Sequence, residues 1–307
     1  MRKVTLIRGA RQLLTLRGPD GPRRGTDLGN LGIIQDGAVL IADGTIIQVG
    51  PTRRLENLAI ARDAEEMDAS GCVVLPGFVA CGLRLLGGAQ DGSPRALKAS
   101  ALHTIEEAIR HGVTAIEARA GPDLTETAAF KILRVQAALR DLPFTLVSTL
   151  VTSDPHLLAV RRLRRLADLV EICGAASTKA AIALLDPLLS FAANESYPPG
   201  RLLIDRGDAI ALTSGGSNIQ MAIALACRMM NMTAAEAICA ATINAAHAIG
   251  QARNIGSIEA GKSGDLIVLD VPDHRELPYH LGVNMVKLVV IRGTVRVERS
   301  EVQWPDR

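Results

Sequence analysis

The chain has 307 residues and a mass of 32.5 kDa, enough for one large domain or two unequal ones. Hydrophobic residues make up 48% of it and charged residues 21%, which is typical of a globular chain and excludes a disordered or fibrous one. A net charge of +2 and only seven aromatic residues argue against nucleic acid as a partner, because they offer little attraction for phosphates and few surfaces for base stacking.

The sequence lacks the patterns of a membrane or secreted protein. Its longest apolar stretch, residues 180–193, is interrupted by Asp186 and Pro187, whereas a membrane span needs about 18 uninterrupted apolar residues. Near the start, Arg8 and Arg11 lie where a signal peptide would be apolar. We therefore expect a cytoplasmic protein without a membrane partner.

The cysteines indicate a reducing compartment. They are odd in number and none has CxxC spacing, so we expect neither a disulfide nor a structural zinc site. The five are Cys72, Cys81, Cys173, Cys227 and Cys239.

Both ends of the chain have the alternating pattern of β-strands. In the N-terminal part, Asp43-Gly44 separates two runs rich in Val and Ile, which predicts a tight hairpin. The C-terminal part has similar period-2 runs at 265–270 and 285–300. These β-rich ends enclose a middle of different character.

Between residues 75 and 258 the pattern changes to helices that alternate with short apolar runs, which is typical of βαβ units. This region has 184 residues, whereas a (β/α)8 barrel usually needs about 250, so a complete barrel is not expected. A capping box, Thr233 with Glu236, marks the start of the last helix. The predicted helices cover 98–111, 125–140, 156–171, 217–230 and 233–249, and the predicted strands cover 73–80, 113–118, 144–151 and 209–213.

Several segments resemble the amidohydrolase superfamily, whose metal-dependent barrel is flanked by a small β-sandwich made from both chain ends. The general likeness is carried by DGTIIQVG at 43–50, GCVVLPGFVACGLRLLGG at 71–88 and GSIEAGKSGDLIVLD at 256–270. Similarity to the imidazolonepropionase branch is carried by HGVTAIEARAG at 111–121, YPPGRLLIDRGDAIAL at 197–212, NMTAAEAICAATINAAHAIG at 231–250 and DVPDHRELPYHLGVN at 270–284. Together they extend over most of the chain.

The resemblance implies an α/β fold: a contracted or incomplete TIM-like (β/α) barrel of the metal-dependent hydrolase type, with a small β-sandwich formed by both chain ends. The barrel domain would comprise residues 75–257, and the sandwich residues 1–74 and 258–307. The implied activity is hydrolysis of a cyclic amide C–N bond, the opening of an imidazolone ring, with zinc or iron as cofactor.

The family's metal ligands are replaced in this sequence. A catalytic metal needs three or four His or carboxylate ligands. The positions that match the family's first His-x-His pair are Gly82 and Arg84, of which one lacks a side chain and the other is a permanent cation. Ser214 or Gly215 matches the family's catalytic Asp, so the general base is replaced too. The sequence therefore predicts no metal cofactor and no catalytic residue of the family type.

The family's two other His ligands come from middle strands of the barrel. The interval between Thr152 and Tyr197 is too short to contain these strands, and we interpret it as the site of an internal deletion. Histidines across the chain have no metal-ligand spacing. They are His103, His111, His156, His247, His274 and His280.

Other residues offer alternative chemistry. Cys81 lies at the predicted end of a barrel strand, where it is either a nucleophile or a packed thiol, and no sequence signature supplies a base for it. A glycine-rich segment with Ser214, Ser217 and Asn218 precedes a helix, and it either cradles an anion or forms a loop with an N-cap. These four residues and Arg84 are the candidate ligand-binding set.

Three hypotheses about function follow. The first is a catalytically inactive imidazolonepropionase-like homologue. The second is an active hydrolase of cyclic amide C–N bonds with a rebuilt, metal-free site around Cys81, Arg84 and Ser214. The third is a non-catalytic binding or assembly module that needs a protein partner to cover an open barrel edge. Loss of barrel units would expose apolar faces, so we expect a homo-oligomer, in the simplest case a dimer.

Overall fold

In the computed structural model, the structure describes residues 3–83, 85, 92–122, 124–172, 182–213, 216–299 and 301–303. The strands are β1 Val4–Leu14, β2 Ile33–Ala42, β3 Thr45–Pro51, β4 Glu65–Asp68, β5 Val73–Pro76, β6 Phe78–Leu83, β7 Val113–Ala120, β8 Thr145–Thr152, β9 Leu169–Ile172, β10 Ile182–Leu185, β11 Ala209–Leu212, β12 Leu266–Leu269, β13 Val286–Ile291, β14 Thr294–Glu298 and β15 Glu301–Val302.

The α-helices are α1 Thr52–Leu55, α2 Pro94–Arg110, α3 Glu126–Ala137, α4 Pro155–Ala159, α5 Arg161–Leu166, α6 Pro187–Ala193, α7 Gly200–Asp205, α8 Ile219–Met229, α9 Ala234–Ala241 and α10 Ile243–Ala248. Short 3-10 helices cover Gly25–Gly29, Ala59–Ala61 and His274–Tyr279. None of the helices described here combines the length and the apolar composition that a bilayer span requires.

Strands from both chain ends form one sheet, with nine strands among the described residues. Its order is β15-β14-β13-β12-β5-β1-β2-β3, and β4 pairs with β1. The ends meet where β5 pairs antiparallel with β12. The prediction of β-rich ends is confirmed, whereas the sandwich geometry and the domain limits 1–74, 258–307 and 75–257 stay predictions. Apolar residues of these strands form a shared core that includes Leu13, Val39, Ile41, Val74, Leu266, Val268 and Val290.

The hairpin between β2 and β3 has the turn that the sequence predicts. Asp43 and Gly44 have φ of 48° and 80°, and Ala42 pairs with Thr45 across the turn. Positive φ at both central residues defines a type I′ turn, which Asp-Gly favours because Gly has no Cβ to clash. The predicted hairpin is confirmed.

Parallel strands form the middle region. β6, β7, β8 and β9 pair in that order, and β10 pairs with β11. A parallel bridge between Cys81 and Thr213 joins β6 to the end of β11. The strands described in this region therefore follow one another as β10-β11-β6-β7-β8-β9. Within the described ranges, β9 and β10 are not paired with each other.

Four of these parallel strands, β6, β7, β8 and β11, have buried apolar residues on both faces, as strands covered on both sides require. One face forms an interior layer of Val79, Cys81, Ala115, Val147 and Ala211. The opposite face joins a second core with side chains of the helices. This core includes Phe78, Ala80, Ile116, Ala118 and Leu150 from the strands and Leu97, Ile105, Ile132 and Leu163 from the helices.

One predicted helix is wrong. Instead of a helix over 156–171, the structure has α4, α5 and then β9, with extended backbone at Val160 (ψ 102°) and Ala167 (ψ 134°). The reason is tertiary: the backbone N–H of Asp168 donates to Ser148 O over 2.8 Å, and the Asp168 carboxylate accepts from Ser148 N–H over 2.7 Å. These bonds hold the chain against β8, so it continues as a strand.

A second predicted helix, 233–249, is divided into α9 and α10. The predicted capping box is present, with Glu236 N–H donating to Thr233 Oγ1 over 3.3 Å. The division falls at Thr242, which has φ −124° and ψ −95° and whose hydroxyl donates to Ile238 O over 2.7 Å. Bonding of a Thr hydroxyl to the preceding helical turn favours such a break.

The structure also contains three short elements, β10, α6 and α7, that the sequence patterns do not predict.

Asn244 ties the N-terminal segment to the α/β region. Its side chain is fully buried in α10. Its Nδ2 donates to Arg23 O over 2.9 Å and to Ile210 O over 2.8 Å, and its Oδ1 accepts from Arg23 N–H over 2.7 Å. One amide thus satisfies three backbone groups, from the segment after β1 and from β11.

We expect Asn244→Ala to lower the free energy of unfolding by about 3 kcal/mol, because it leaves three backbone groups without their partner. Urea unfolding followed by circular dichroism measures the change. Asn254→Ala is the matched control: its exposed amide donates to the Gln251 side chain, and a change below about 0.5 kcal/mol is expected. Equal losses in the two variants would contradict the anchoring role of Asn244.

Candidate functional site

The carboxyl ends of β6 to β9 bring polar groups together. Gly82 lies near the end of β6, Glu117 and Arg119 lie in β7, Thr149 in β8 and Glu171 in β9. Residues two apart in a strand share a face, so Glu117 and Arg119 are on the same side of β7. Because functional groups of parallel α/β folds collect at this end of the strands, we take the cluster as the candidate functional site.

Glu117 is the centre of the cluster. It is 5% exposed, and its carboxylate accepts from Gly82 N–H over 2.8 Å and from Thr149 Oγ1 over 2.7 Å. Arg119 Nε lies 3.5 Å from the oxygen that Thr149 bonds. Burial of a carboxylate is costly unless charges and hydrogen-bond donors compensate it. Here the two hydrogen-bond donors come from the neighbouring strands β6 and β8, and the charge comes from β7 itself.

Arg119 supplies the positive charge at the strand ends. Its guanidinium forms ion pairs with Glu117 and with Glu171, and so it connects β7 to β9. Its Cδ lies 3.7 Å from the point that a Cβ on Gly82 would occupy. The Arg119 side chain therefore covers the position from which a side chain at residue 82 would project. The cluster is a closed ionic network, in which each carboxylate already has a cation.

Cys81 is not positioned as a nucleophile. It is fully buried in the interior layer, and its Sγ donates to Ala245 O over 3.5 Å. Burial raises the pKa of the Cys81 thiol well above its ordinary value, and the negative charge of Glu117 raises this pKa further. The thiol is thus protonated and enclosed at neutral pH.

The other predicted ligand-binding residues fall into two groups. Asn218 is the N-cap of α8, where its Oδ1 accepts from Met221 N–H over 3.0 Å, and Ser217 precedes it. This geometry agrees with the interpretation as a loop and N-cap. Arg84, Ser214 and Gly215 lie outside the described residues. Their ligand-binding role stays a prediction.

The described side chains do not fit the metal that the family resemblance implies. Gly82 has no ligand atom, and the Glu117 carboxylate is held by Gly82 N–H, Thr149 and Arg119. Within the described ranges, no group of three or more His, Cys, Asp or Glu side chains could hold a metal ion.

The histidines are not among the residues that contact Glu117 or Arg119 at the strand ends. His156 contacts Glu126 over 3.2 Å in an exposed pair, and His274 Nδ1 contacts Gln12 Oε1 over 2.9 Å. Burial lowers the pKa of His274, which favours its neutral form. The remaining ones are in or after α2 (His103, His111), in α10 (His247) and after the 3-10 helix at 274–279 (His280).

Sequence reasoning missed Glu117, Arg119, Thr149 and Glu171. A signal for the first two exists in HGVTAIEARAG at 111–121, because the apolar run predicts a strand and places two opposite charges at positions i and i+2 on one face. Thr149 and Glu171 have no such signal, since only the pairing of β7, β8 and β9 brings them near Glu117 and Arg119.

The sequence has relatives over almost its whole length. Residues 145–296 match the sequence model of the amidohydrolase family. The imidazolonepropionase of Parabacteroides distasonis is 30% identical, in an alignment that covers 94% of this chain and 97% of that protein. The imidazolonepropionase of Clostridium tetani is 27% identical, over 96% of this chain and 98% of that protein.

The alignment with the Parabacteroides distasonis protein spans 406 positions. Because this chain has 307 residues, at least 99 of those positions have no residue here. The chain is thus shorter than this relative inside the aligned region.

Solved structures show the same fold. An adenosine deaminase from Xanthomonas campestris with bound zinc matches with a TM-score of 0.69 at 17% identity, over 98% of this chain and 94% of that one. Guanine deaminase of E. coli matches with a TM-score of 0.72 at 13% identity, over 97% of this chain and 100% of that one. At these identities the likeness concerns the fold alone, which is the TIM-like α/β fold of metal-dependent hydrolases.

We expect Thr149→Val to lower the free energy of unfolding by about 1–3 kcal/mol, because the Glu117 carboxylate loses a buried hydroxyl donor. Thr145→Val, at the half-buried start of the same strand, is the matched control, with an expected change below about 0.5 kcal/mol. Chemical unfolding measures both. If Thr149→Val were as stable as the wild type, the hydroxyl would not support Glu117.

We expect the Cys81 thiol to react with iodoacetamide at pH 8 at least about tenfold more slowly in the native protein than in urea, because it is buried and protonated. Peptide mass spectrometry follows the alkylation of Cys81, and the unfolded protein supplies the reference rate. Equal alkylation rates in the native and unfolded states would indicate an accessible thiolate. That result would support Cys81 as a nucleophile.

Proposed function

Because this chain belongs to the amidohydrolase family as an imidazolonepropionase-like member, we propose that it is a non-catalytic homologue that has kept the scaffold and lost metal-dependent hydrolysis. The observation that carries this proposal is the ionic network of Glu117, Arg119 and Glu171 at the strand ends. In this network a guanidinium, which is a permanent cation, is paired with both carboxylates.

Electrostatics support the proposal. A dication placed about 5 Å from the Arg119 guanidinium would meet a repulsion of about 7 kcal/mol at an effective dielectric constant of about 20. Glu117 would also have to release Gly82 N–H and the Thr149 hydroxyl before its carboxylate could act as a ligand or as a base. With Gly82 and Arg84 at the positions of the His-x-His pair, the sequence supplies no compensating ligands there.

Chain length supports the same conclusion. We place most of the positions missing relative to the Parabacteroides distasonis protein between β9 and β10, where only nine residues separate Ile172 from Ile182. One βαβ unit takes about 30 residues, so this interval leaves no room for two further units. A contracted barrel of this kind would lack the middle strands that carry the family's other His ligands.

A cavity beside α8 does not restore a reaction site. It has a volume of about 510 Å³ and lies between α8, α9 and the 3-10 helix at 274–279, where its lining includes Cys227, Arg228, Met232, Pro278 and Tyr279. None of these residues belongs to the cluster at the strand ends. The alternative of a rebuilt metal-free hydrolase around Cys81 gains no support from the buried, protonated thiol.

A second candidate function is an assembly role. It is favoured by the exposed apolar side chains of β9, Val170 and Ile172, where a complete barrel would continue. Such a role requires no chemistry at the strand ends, and it is compatible with the first proposal.

We expect the purified protein, after mild dialysis, to hold less than about 0.1 zinc or iron per chain, and to turn over no imidazolonepropionate, because the residues at the strand ends do not fit a metal. Elemental analysis and a turnover assay on the same sample measure both. The Parabacteroides distasonis imidazolonepropionase, prepared identically, is the positive control. Near-stoichiometric metal would overturn the proposal, and turnover without metal would favour the rebuilt hydrolase.

A further inference from the structure

His274 is a buried histidine in the wall of the cavity beside α8, and the residue is only 9% exposed. Gln12 Nε2 donates to Asp273 Oδ2 over 2.9 Å, which fixes the orientation of the Gln12 amide. Gln12 Oε1 then accepts from His274 N–H over 3.0 Å and lies 2.9 Å from His274 Nδ1. Because an amide oxygen can only accept, the ring proton is on Nδ1.

Nε2 of the same ring has no partner within the described part of the chain. The polar contacts of the ring, to Gln12 and Asp273, are both made by Nδ1. Nε2 is not enclosed in the core, so it opens to the cavity that the ring lines. Burial lowers the pKa of His274, which favours the neutral ring at pH 7. A ligand in this cavity therefore meets a hydrogen-bond acceptor, to which it must offer an O–H or N–H group.

The start of α9 contributes two backbone donors to the same cavity. Ala234 and Ala235, the first two residues of α9, are in its lining. The first N–H groups of a helix have no carbonyl partner inside it, and neither of these two has another acceptor among the described residues. The capping box uses the neighbouring groups, with Thr233 N–H donating to Glu236 Oε2 over 2.7 Å. Two adjacent N–H groups match the two oxygens of a carboxylate.

The wall also contains a positive charge that is not neutralised. Arg228 Nε and Nη2 donate to Pro278 O over 3.3 Å and to Tyr279 O over 3.4 Å. Arg228 forms no ion pair with the carboxylates that the structure describes. Arg275 differs, because its guanidinium is paired with Asp273 over 2.7 Å. A ligand thus meets the charge of a single cation, which one carboxylate balances and a doubly charged phosphate exceeds.

Two groups near the cavity that could repel an anion are neutralised. Glu236 is paired with Arg201, whose Nη1 lies 3.1 Å from both carboxylate oxygens. Burial raises the pKa of the Cys227 thiol to about 12, so this thiol is uncharged at neutral pH. Met232 and Pro278 add apolar surface to the lining. The volume of about 510 Å³ is within the range of small-molecule sites, about 300–1,000 Å³.

We propose that this cavity binds a small hydroxycarboxylate that carries an apolar group. The carboxylate accepts from the N–H groups of Ala234 and Ala235, close to the charge of Arg228. The hydroxyl donates to His274 Nε2, and the apolar group packs on Met232. This site is separate from the cluster at the strand ends. It gives the chain a binding role beyond the proposed loss of hydrolysis, and it does not depend on that loss.

Isothermal titration calorimetry tests the site with three matched probes. Phenyllactate, which has a carboxylate, a hydroxyl and an apolar ring, is expected to bind with a Kd of about 1 mM or below. Hydrocinnamate lacks the hydroxyl, and the diol obtained by reducing the carboxyl group of phenyllactate lacks the charge. Each is expected to bind at least about fivefold more weakly. Equal affinities for the three probes, or no binding of phenyllactate up to about 10 mM, would overturn the proposal.

Variants test the two ends of the ligand separately. His274→Asn removes Nε2 but keeps an N–H donor for Gln12, so it is expected to weaken phenyllactate binding at least about fivefold and to leave hydrocinnamate binding unchanged. Arg228→Gln is expected to weaken both acids at least about tenfold. Arg164→Gln, which removes an exposed cation of α5, is the matched control with unchanged affinities. A folded His274→Asn variant with full affinity for phenyllactate, or equal losses in the two arginine variants, would contradict the assignment.

Nitrogen-15 NMR keeps the test decisive if a variant does not fold, because it uses the wild-type chain. The Nε2 signal of His274 is expected to shift more on addition of phenyllactate than of hydrocinnamate, since only phenyllactate has a hydroxyl to donate. A signal that responds to neither probe, or equally to both, would overturn the proposal. Metal content has no bearing on these outcomes, so this proposal and the proposed function fail separately.

Discussion

Pairing between β5 and β12 is the contact on which the two parts of the molecule depend. It joins the N-terminal and C-terminal strands in one sheet, and β5 leads into β6 with only Gly77 between them. Gly77 N–H donates to Asp265 O over 3.0 Å, just before β12. The position at which β6 begins is thus fixed by residues that are far apart in the sequence. The segments 71–88 and 256–270, which carry family resemblance, contain this contact.

At the carboxyl ends of the strands, the pairing of carboxylates with Arg119 determines whether the site can bind a metal ion. Glu117 and Glu171 are both paired with Arg119, and Glu117 has further donors in Gly82 N–H and Thr149. A buried carboxylate without such partners would be strongly destabilising. A metal site needs carboxylates and imidazoles that are free to bind the ion. Here the carboxylates of Glu117 and Glu171 are instead held in ion pairs that stabilise the fold. This pairing is the basis of the proposed loss of hydrolysis.

The proposed contraction of the strand series links loss of chemistry to assembly. Removal of middle strands would remove the His ligands that those strands carry, and it would account for the exposed side chains of Val170 and Ile172 in β9. Parallel strands are stable when both faces are covered, so exposed Val170 and Ile172 favour association. One event in the chain would then account for both the proposed inactivity and the proposed assembly role.

The sequence by itself determined features that depend on local patterns and on matched segments: the β-rich ends, the Asp43-Gly44 hairpin, the capping box of Thr233 and the family membership. Only the tertiary structure decided that residues 169–172 form a strand, because bonds between Asp168 and Ser148 hold this segment against β8. It also decided which residues surround Glu117. Arg119 is recognisable from its spacing in β7, but Thr149 and Glu171 reach the cluster through strand pairing, which no local pattern encodes.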